Sequence, residues 1–389
     1  MNDPVIYFLG AGASKHVHKD MPLVNDFFRQ CTPHLADSTV WTALTSLEWH
    51  RAFHRREPEL ENFAAGIRLS KIGSDDQQAW IRRYCDAFRI CESRQRENLE
   101  TVFTKAERIL QETDEDDPYQ RLGFLINFLF HKLDAEGNAG SVYKHFATAI
   151  RKNVESPGGS QHVIVSYNYE TFLEKEFHAV GIWGPSFGYG GIINECVESW
   201  NIEAAGILAK TIRFNPEQVR QNRVLIMKPH GCLSWFYDKD DQTRLILMLD
   251  KPEANAVVKY NERYWITEWN RQGEPIKPRI LAPLIVPPVP AKRRSHAFLW
   301  KTDKWLQQHL ERARTVVVIG WSMPDADLQQ RRMIEDAVLR RWNQIDNLVV
   351  CDIQTSPAHY ARFEELFRPV KMDVWDKGFS EQFIDHLFE

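Results

Sequence analysis

The chain has 389 residues, room for one large domain or two ordinary ones. Its composition, 43% hydrophobic and 26% charged, excludes a disordered or low-complexity protein, and a formal net charge of −4 gives no global electrostatic reason to expect nucleic-acid binding. No apolar stretch reaches the length of about 18 residues that a membrane-spanning helix needs, so no membrane association is expected.

The N-terminus, Met-Asn-Asp-Pro, leads straight into a run of strand formers, Val5-Ile6-Tyr7-Phe8-Leu9. It has no basic segment followed by an apolar core and a cleavage site, so no signal peptide is expected. Cys31, Cys85, Cys91, Cys196, Cys232 and Cys351 form no C-x-x-C pair, which predicts no zinc ribbon and no metal. Scattered thiols in a chain this long fit a reducing, cytoplasmic setting.

The Val5–Leu9 run, bounded by Pro4 and Gly10, reads as a buried parallel strand. It opens into Gly10-Ala11-Gly12-Ala13-Ser14. Glycine permits a sharp turn and a close phosphate, and a following helix offers unpaired N–H groups and a partial positive end. Ser14 can add a hydroxyl donor. A tight strand–helix turn without a ligand accounts for the same residues.

From residue 25 to residue 153 the pattern changes. Amphipathic stretches dominate, at Trp41–Arg56, Leu60–Leu69, Gln77–Gln111 and Tyr119–Leu133, and predict a helical insertion after the first strand. Glu112–Asp117, with five acids in six residues, reads as a solvated loop ending at Pro118. Pro157-Gly158-Gly159-Ser160 marks the return to strands.

Further strand runs follow at Val163–Val165, Val224–Met227, Thr315–Ile319, Leu348–Val350 and Val370–Val374. Helical patterns follow several of them, at Glu170–His178, Asp325–Trp342, Pro357–Phe367 and Ser380–Phe388. Alternation of this kind predicts a Rossmann-like doubly wound parallel sheet.

Three strand ends carry chemistry besides the glycine loop. Ser166-Tyr167-Asn168-Tyr169-Glu170 follows the second strand, and ligands of parallel sheets sit beyond such carboxyl ends. The Asn168 carboxamide can donate and accept, which suits a ribose hydroxyl or a water. From spacing alone, Asn168 or Ser166 as a helix cap is the simpler reading. Lys228-Pro229-His230-Gly231-Cys232 follows the next strand and puts a histidine, suited to proton transfer near neutral pH, beside a glycine. Gly320-Trp321-Ser322-Met323-Pro324-Asp325-Ala326-Asp327 follows the fourth. There Gly320 allows close approach and Ser322 can bond a ribose or phosphate, or Ser322 or Asp325 caps a helix.

Together these segments, with Leu284–Lys292, resemble the sirtuin-like NAD hydrolase family of bacteria. The resemblance implies an NAD-binding catalytic domain over residues 1–24 and 154–389, with the helical insertion over 25–153. It implies cleavage of the nicotinamide–ribose bond of NAD in anti-phage defence, with Asn168 and His230 as catalytic residues. NAD is then contacted by Gly10, Ala11, Gly12, Ala13, Ser14, Tyr169, Glu170, Gly231, Gly320, Ser322 and Asp327, with Ser322 and Asp327 near the adenosine half. It implies a homo-oligomer or a defence partner that controls activity. The chain departs from the family pattern at Glu170, where aspartate is usual, and at Pro229. It lacks the paired C-x-x-C motifs of deacetylating sirtuins. A non-catalytic NAD or ADP-ribose sensor, or an ADP-ribosyltransferase, fits the same motifs.

Overall fold

The structure is a computed structural model. It describes residues 3–30 apart from 20 and 24, 94–113 apart from 95, Ile126, Phe130, Leu133, 140–190, 193, 195–203, 206–213, 223–238, 245–247, 264–266, 279–286, 297–324, 327–341, 344–353 and 356–389. The stretches Trp41–Arg56 and Leu60–Leu69, and most of Tyr119–Leu133, lie outside them.

Six parallel strands form the central sheet: β1 (Val5–Leu9), β2 (His162–Ser166), β5 (Val224–Met227), β10 (Thr315–Ile319), β11 (Asn347–Cys351) and β12 (Lys371–Trp375). Their spatial order is β12-β11-β10-β1-β2-β5. Counted along the chain as strands one to six, this is the 3-2-1-4-5-6 order of the Rossmann fold, with the reversal between β1 and β10. The chain is therefore an α/β protein with a Rossmann-like sheet.

Strand pleating explains why the inner runs are apolar on both faces, whereas β12 at the sheet edge carries Lys371 and Asp373. Tyr7 and Leu9 face one layer of core, and Ile6 and Phe8 face the other. The first layer is covered by α1 (Ala11–Val17), α3 (Gly140–Glu155), α4 (Phe172–Ala179) and α9 (Glu381–Phe388), with α3 packed on the other three. Tyr143, Phe146, Ala147 and Ile150 carry α3 into this layer. Leu306, Leu310, Ile334, Ala337, Phe363 and Phe367 cover the second, from α6 (Ala297–Leu310), α7 (Leu328–Leu339) and α8 (Pro357–Phe367). Local capping fixes two of these helices: Ser356 accepts from the His359 amide, and Ser380 accepts from the Phe383 amide. α2 (Leu99–Thr113) and the short α5 (Pro185–Gly188) complete the described helices. Because α2 runs through Thr113, Glu112 lies on a helix and not in the expected acidic loop.

A second six-stranded sheet was not anticipated from the sequence. Its strands are β3 (Glu195–Glu203), β4 (Gly206–Arg213), β6 (Gly231–Asp238), β7 (Leu245–Leu247), β8 (Tyr264–Ile266) and β9 (Arg279–Ile285), in the order β4-β3-β7-β6-β9-β8. All its pairings are antiparallel except β3 with β7. It joins the parallel sheet through the turn Lys228–Gly231, where β5 ends and β6 begins. No helix among the described residues is long and apolar enough to cross a membrane.

Candidate active site

The carboxyl ends of β1, β2, β5 and β10 lie on one edge of the parallel sheet. After β1, the Gly10 amide donates to Ile319 O and the Gly12 amide to Gly320 O, both at 3.0 Å. Only glycine allows this contact. A Cβ on Gly10 would stand 2.5 Å from Gly320 O, and one on Gly320 would stand 2.4 Å from Ala13 N. Gly320 also has φ +57°, in the left-handed region. The Ala13 amide turns back to Gly10 O. The glycines thus join the loop to the β10 end, backbone to backbone.

Ser14 is buried at the start of α1. Its Oγ donates to Glu170 Oε1 at 2.7 Å and accepts from Asn168 Nδ2 at 2.8 Å, with the Tyr143 hydroxyl at 3.2 Å. Asn168 Nδ2 donates as well to Gly10 O at 3.0 Å. The carboxamide is therefore fixed across the β1–β2 gap and caps no helix. The cap of α4 is Thr171, which makes no side-chain capping bond.

Beneath Asn168 lies a buried ion cluster. Lys228 Nζ is 3.0 Å from Glu174 Oε1 and donates to the carbonyls of Asn168 and Glu170. Burial alone would lower the Lys228 pKa, but the Glu174, Cys232 and Glu170 charges hold it above its ordinary value. Burial raises the Glu170 pKa against the opposing pull of Lys228. Tyr189 donates its hydroxyl to Glu174 Oε1. Sequence reasoning did not single out Glu174. Its only signal is a carboxylate on the otherwise apolar first turn of α4, Phe172-Leu173-Glu174.

His230 Nε2 lies 2.9 Å from Asp327 Oδ1, and Asp327 Oδ2 accepts from the Trp321 indole at 3.1 Å. Both Asp327 oxygens thus face His230 and Trp321. Asp327 is the N-cap of α7, where the helix end favours a negative charge. The Asp327 carboxylate at Nε2 orients the imidazole and favours a proton on that nitrogen. Tyr167 stacks on Trp321 at 4.8 Å and tilts against His230 at 5.1 Å. Gly231 turns the chain at φ +77° against Leu284 O, and the Val286 amide donates to His230 O. Tyr169 donates its hydroxyl to Val286 O. Residues 287–292 of the Leu284–Lys292 motif lie outside the described residues, as does Asp325.

Ser322 is exposed and Ala11 is half-buried. An open cleft of about 340 Å³ lies on the β10–β11 side of the glycine contact, lined by Gly12, Ala13, Gly320, Cys351, Asp352 and Phe379 among others. Neither Asn168 nor His230 lines it. Both residues are buried, 7% and 6% exposed. Among the described residues no group of three or more His, Cys, Asp or Glu is placed to hold a metal ion.

No protein-family model matches the chain, and no curated protein matches it. Among solved structures, one similar to it is a crystal structure of Sir2 in complex with an inhibitor, 2'-O-acetyl-ADP-ribose and a deacetylated p53 peptide. The identity is 10% and the TM-score 0.36, over 98% of this chain and 91% of the other. The strand order, and not this distant likeness, assigns the fold.

Proposed function

We propose that the chain hydrolyses NAD at the nicotinamide–ribose bond, giving nicotinamide and ADP-ribose. One observation carries the reading. The reversal of strand order sets the glycine loop beside Gly320, and the same sheet edge holds Asn168 and a His230–Asp327 pair. Ligands of doubly wound sheets bind at that reversal. The motif resemblance to sirtuin-like NAD hydrolases supplies the substrate.

In this reading the C1'–N bond breaks with its electron pair leaving on nicotinamide, which departs neutral. The ribose C1' becomes an oxocarbenium centre and takes the oxygen of water. Asn168 orients that water and a ribose hydroxyl, and His230 accepts the proton. Asp327 acts through His230, and Ser14 and Glu170 act through Asn168. Gly10, Ala11, Gly12, Ala13, Gly320 and Ser322 form the wall along the diphosphate and adenosine, with Tyr169 and Gly231 supporting the His230 turn. The helical region 25–153 is read as an insertion serving control or assembly.

The test is to incubate purified protein with NAD and follow nicotinamide and ADP-ribose. His230→Ala and Asn168→Ala should each cost about 10²–10⁴-fold. Activity unchanged in both variants rejects these roles. The wider proposal is a cytoplasmic anti-phage effector that depletes NAD when a partner or its own assembly releases it. The burial of Asn168 and His230, with polar atoms of both engaged inside the protein, also favours a second reading, a sensor that binds NAD or ADP-ribose without turnover. Tight binding with no product, candidate activators included, would establish it.

A further inference from the structure

The chain leaves β10 through two left-handed residues. The first, Gly320, is a glycine at φ +57°. The second, Met323, carries a long side chain at φ +51° and is 1% exposed. Sterics leave little room there for any residue with a Cβ. Pro324 adds a second restriction, because the residue before a proline is pushed toward extended backbone. Among the described residues one other non-glycine has a positive φ, Arg368, and it closes α8 as a left-handed cap, a common place for one. Met323 closes no helix.

Strain of this kind persists only where the surroundings over-determine it. Two contacts hold Met323. Its side chain lies in the second layer of core with Tyr167, Trp321 and Phe363. Its carbonyl accepts from Arg362 Nη2 at 2.6 Å, a bond strengthened by the charge on the guanidinium. Arg362 is an exposed residue of α8, and its neighbour Phe363 meets the Trp321 ring at 6.3 Å between centres. What the turn delivers is Asp327. The Asp327 amide donates to Pro324 O at 2.9 Å, so the peptide next to Met323 anchors the residue whose carboxylate meets His230 and the Trp321 indole. Met323 at an ordinary negative φ would redirect Pro324, and Asp327 with it.

We propose that Arg362 is a positioning residue: by gripping the Met323 carbonyl it keeps the turn left-handed and so keeps Asp327 against His230. Arg362 acts through Asp327 and takes no part in the bond-breaking step. The inference rests on the reading of His230 as proton acceptor in NAD cleavage, but the turn itself can be tested without NAD.

Because Arg362 is at the surface, Arg362→Met should fold, and thermal melting checks that it does. The Trp321 indole N–H reports the Asp327 contact in a nitrogen–proton correlation spectrum, where Trp321→Phe assigns it among the thirteen tryptophans. Arg362→Met should move this resonance in the direction taken by Asp327→Asn. Arg362→Lys, which keeps a cationic donor, should leave it nearer to wild type. In NAD cleavage, Arg362→Met should lower kcat about tenfold with KM little changed, the mark of a lost orientation and not of lost binding. Added to Asp327→Asn, it should cost nothing further, since the two residues act in series. An unmoved indole resonance in folded Arg362→Met overturns the proposal, as does a full additional loss in the double variant. A resonance that responds in a chain that never cleaves NAD supports the positioning of Asp327 and rejects the hydrolase reading instead.

Discussion

The ammonium of Lys228 has no water to turn to. It is met by Glu174 and by the carbonyls of Asn168 and Glu170, so it ties the end of β2 to the end of β5. Lys228→Met leaves Glu174 as an uncompensated buried charge and should cost about 3–5 kcal/mol in chemical denaturation. Glu170 gives a pH dependence of definite sign. Its folded pKa is raised by burial, so the folded state holds the proton more tightly than the unfolded chain. Stability from this group is intact below its ordinary value of 4.5 and erodes as pH rises toward the raised value. Glu170→Gln should remove that slope in melts taken across pH. His162 acts in the opposite sense. Burial lowers it to about 4, so stability falls as pH drops from 6.5 toward that value. Asp327→Asn should leave the melting temperature near wild type while cutting NAD cleavage on the order of tenfold or more, through a misdirected imidazole. Asn168 and His230 were visible in the sequence because each follows an apolar strand. The attachment of Asp327 to His230 was not, because the two residues are 97 apart in sequence and follow strands that are not neighbours in the parallel sheet.

At the scale of elements, the Gly10–Gly12 turn and the Gly320 end of β10 behave as one joint. Gly320→Ala forces a Cβ into backbone atoms of Gly12 and Ala13 from a left-handed φ. It should destabilise the fold by about 2–3 kcal/mol, read from denaturation midpoints. The inner parallel strands were legible because strands covered on both faces are apolar at nearly every position, and β12, with Lys371 and Asp373, was legible only from its flanking valines and the helix after it. The second sheet was not. Glu195-Cys196-Val197-Glu198-Ser199-Trp200-Asn201-Ile202-Glu203 mixes charges into its pattern, and a register shift between Val197 and Ser199 breaks the alternation that would mark a half-buried strand. β7 and β8 are three residues each, too short for a period to show. The helix over Pro357–Phe367 has the bounds its pattern predicted, and in the structure Ser356 and Pro357 fix its start.

At the scale of the whole molecule, the depth of Asn168 and His230 bears on regulation. If the proposed activity is held in check until a trigger arrives, the isolated chain should release nicotinamide at less than about 1 s⁻¹, the lower end of ordinary turnover. Stopped assays with purified protein measure this directly. The pairing of β1 with β10 has a consequence in time. Val5 lies beside Thr315, so β1 must wait for a strand made 310 residues later (315 − 5) along the chain. At synthesis rates of about 5–20 residues per second the wait is roughly 15–60 s. Throughout it the Gly10–Gly12 turn has no Gly320 to close against, and a nascent or prematurely ended chain has no crevice. An activity that endangers its own cell would then be withheld from every incomplete copy by the order of the strands alone.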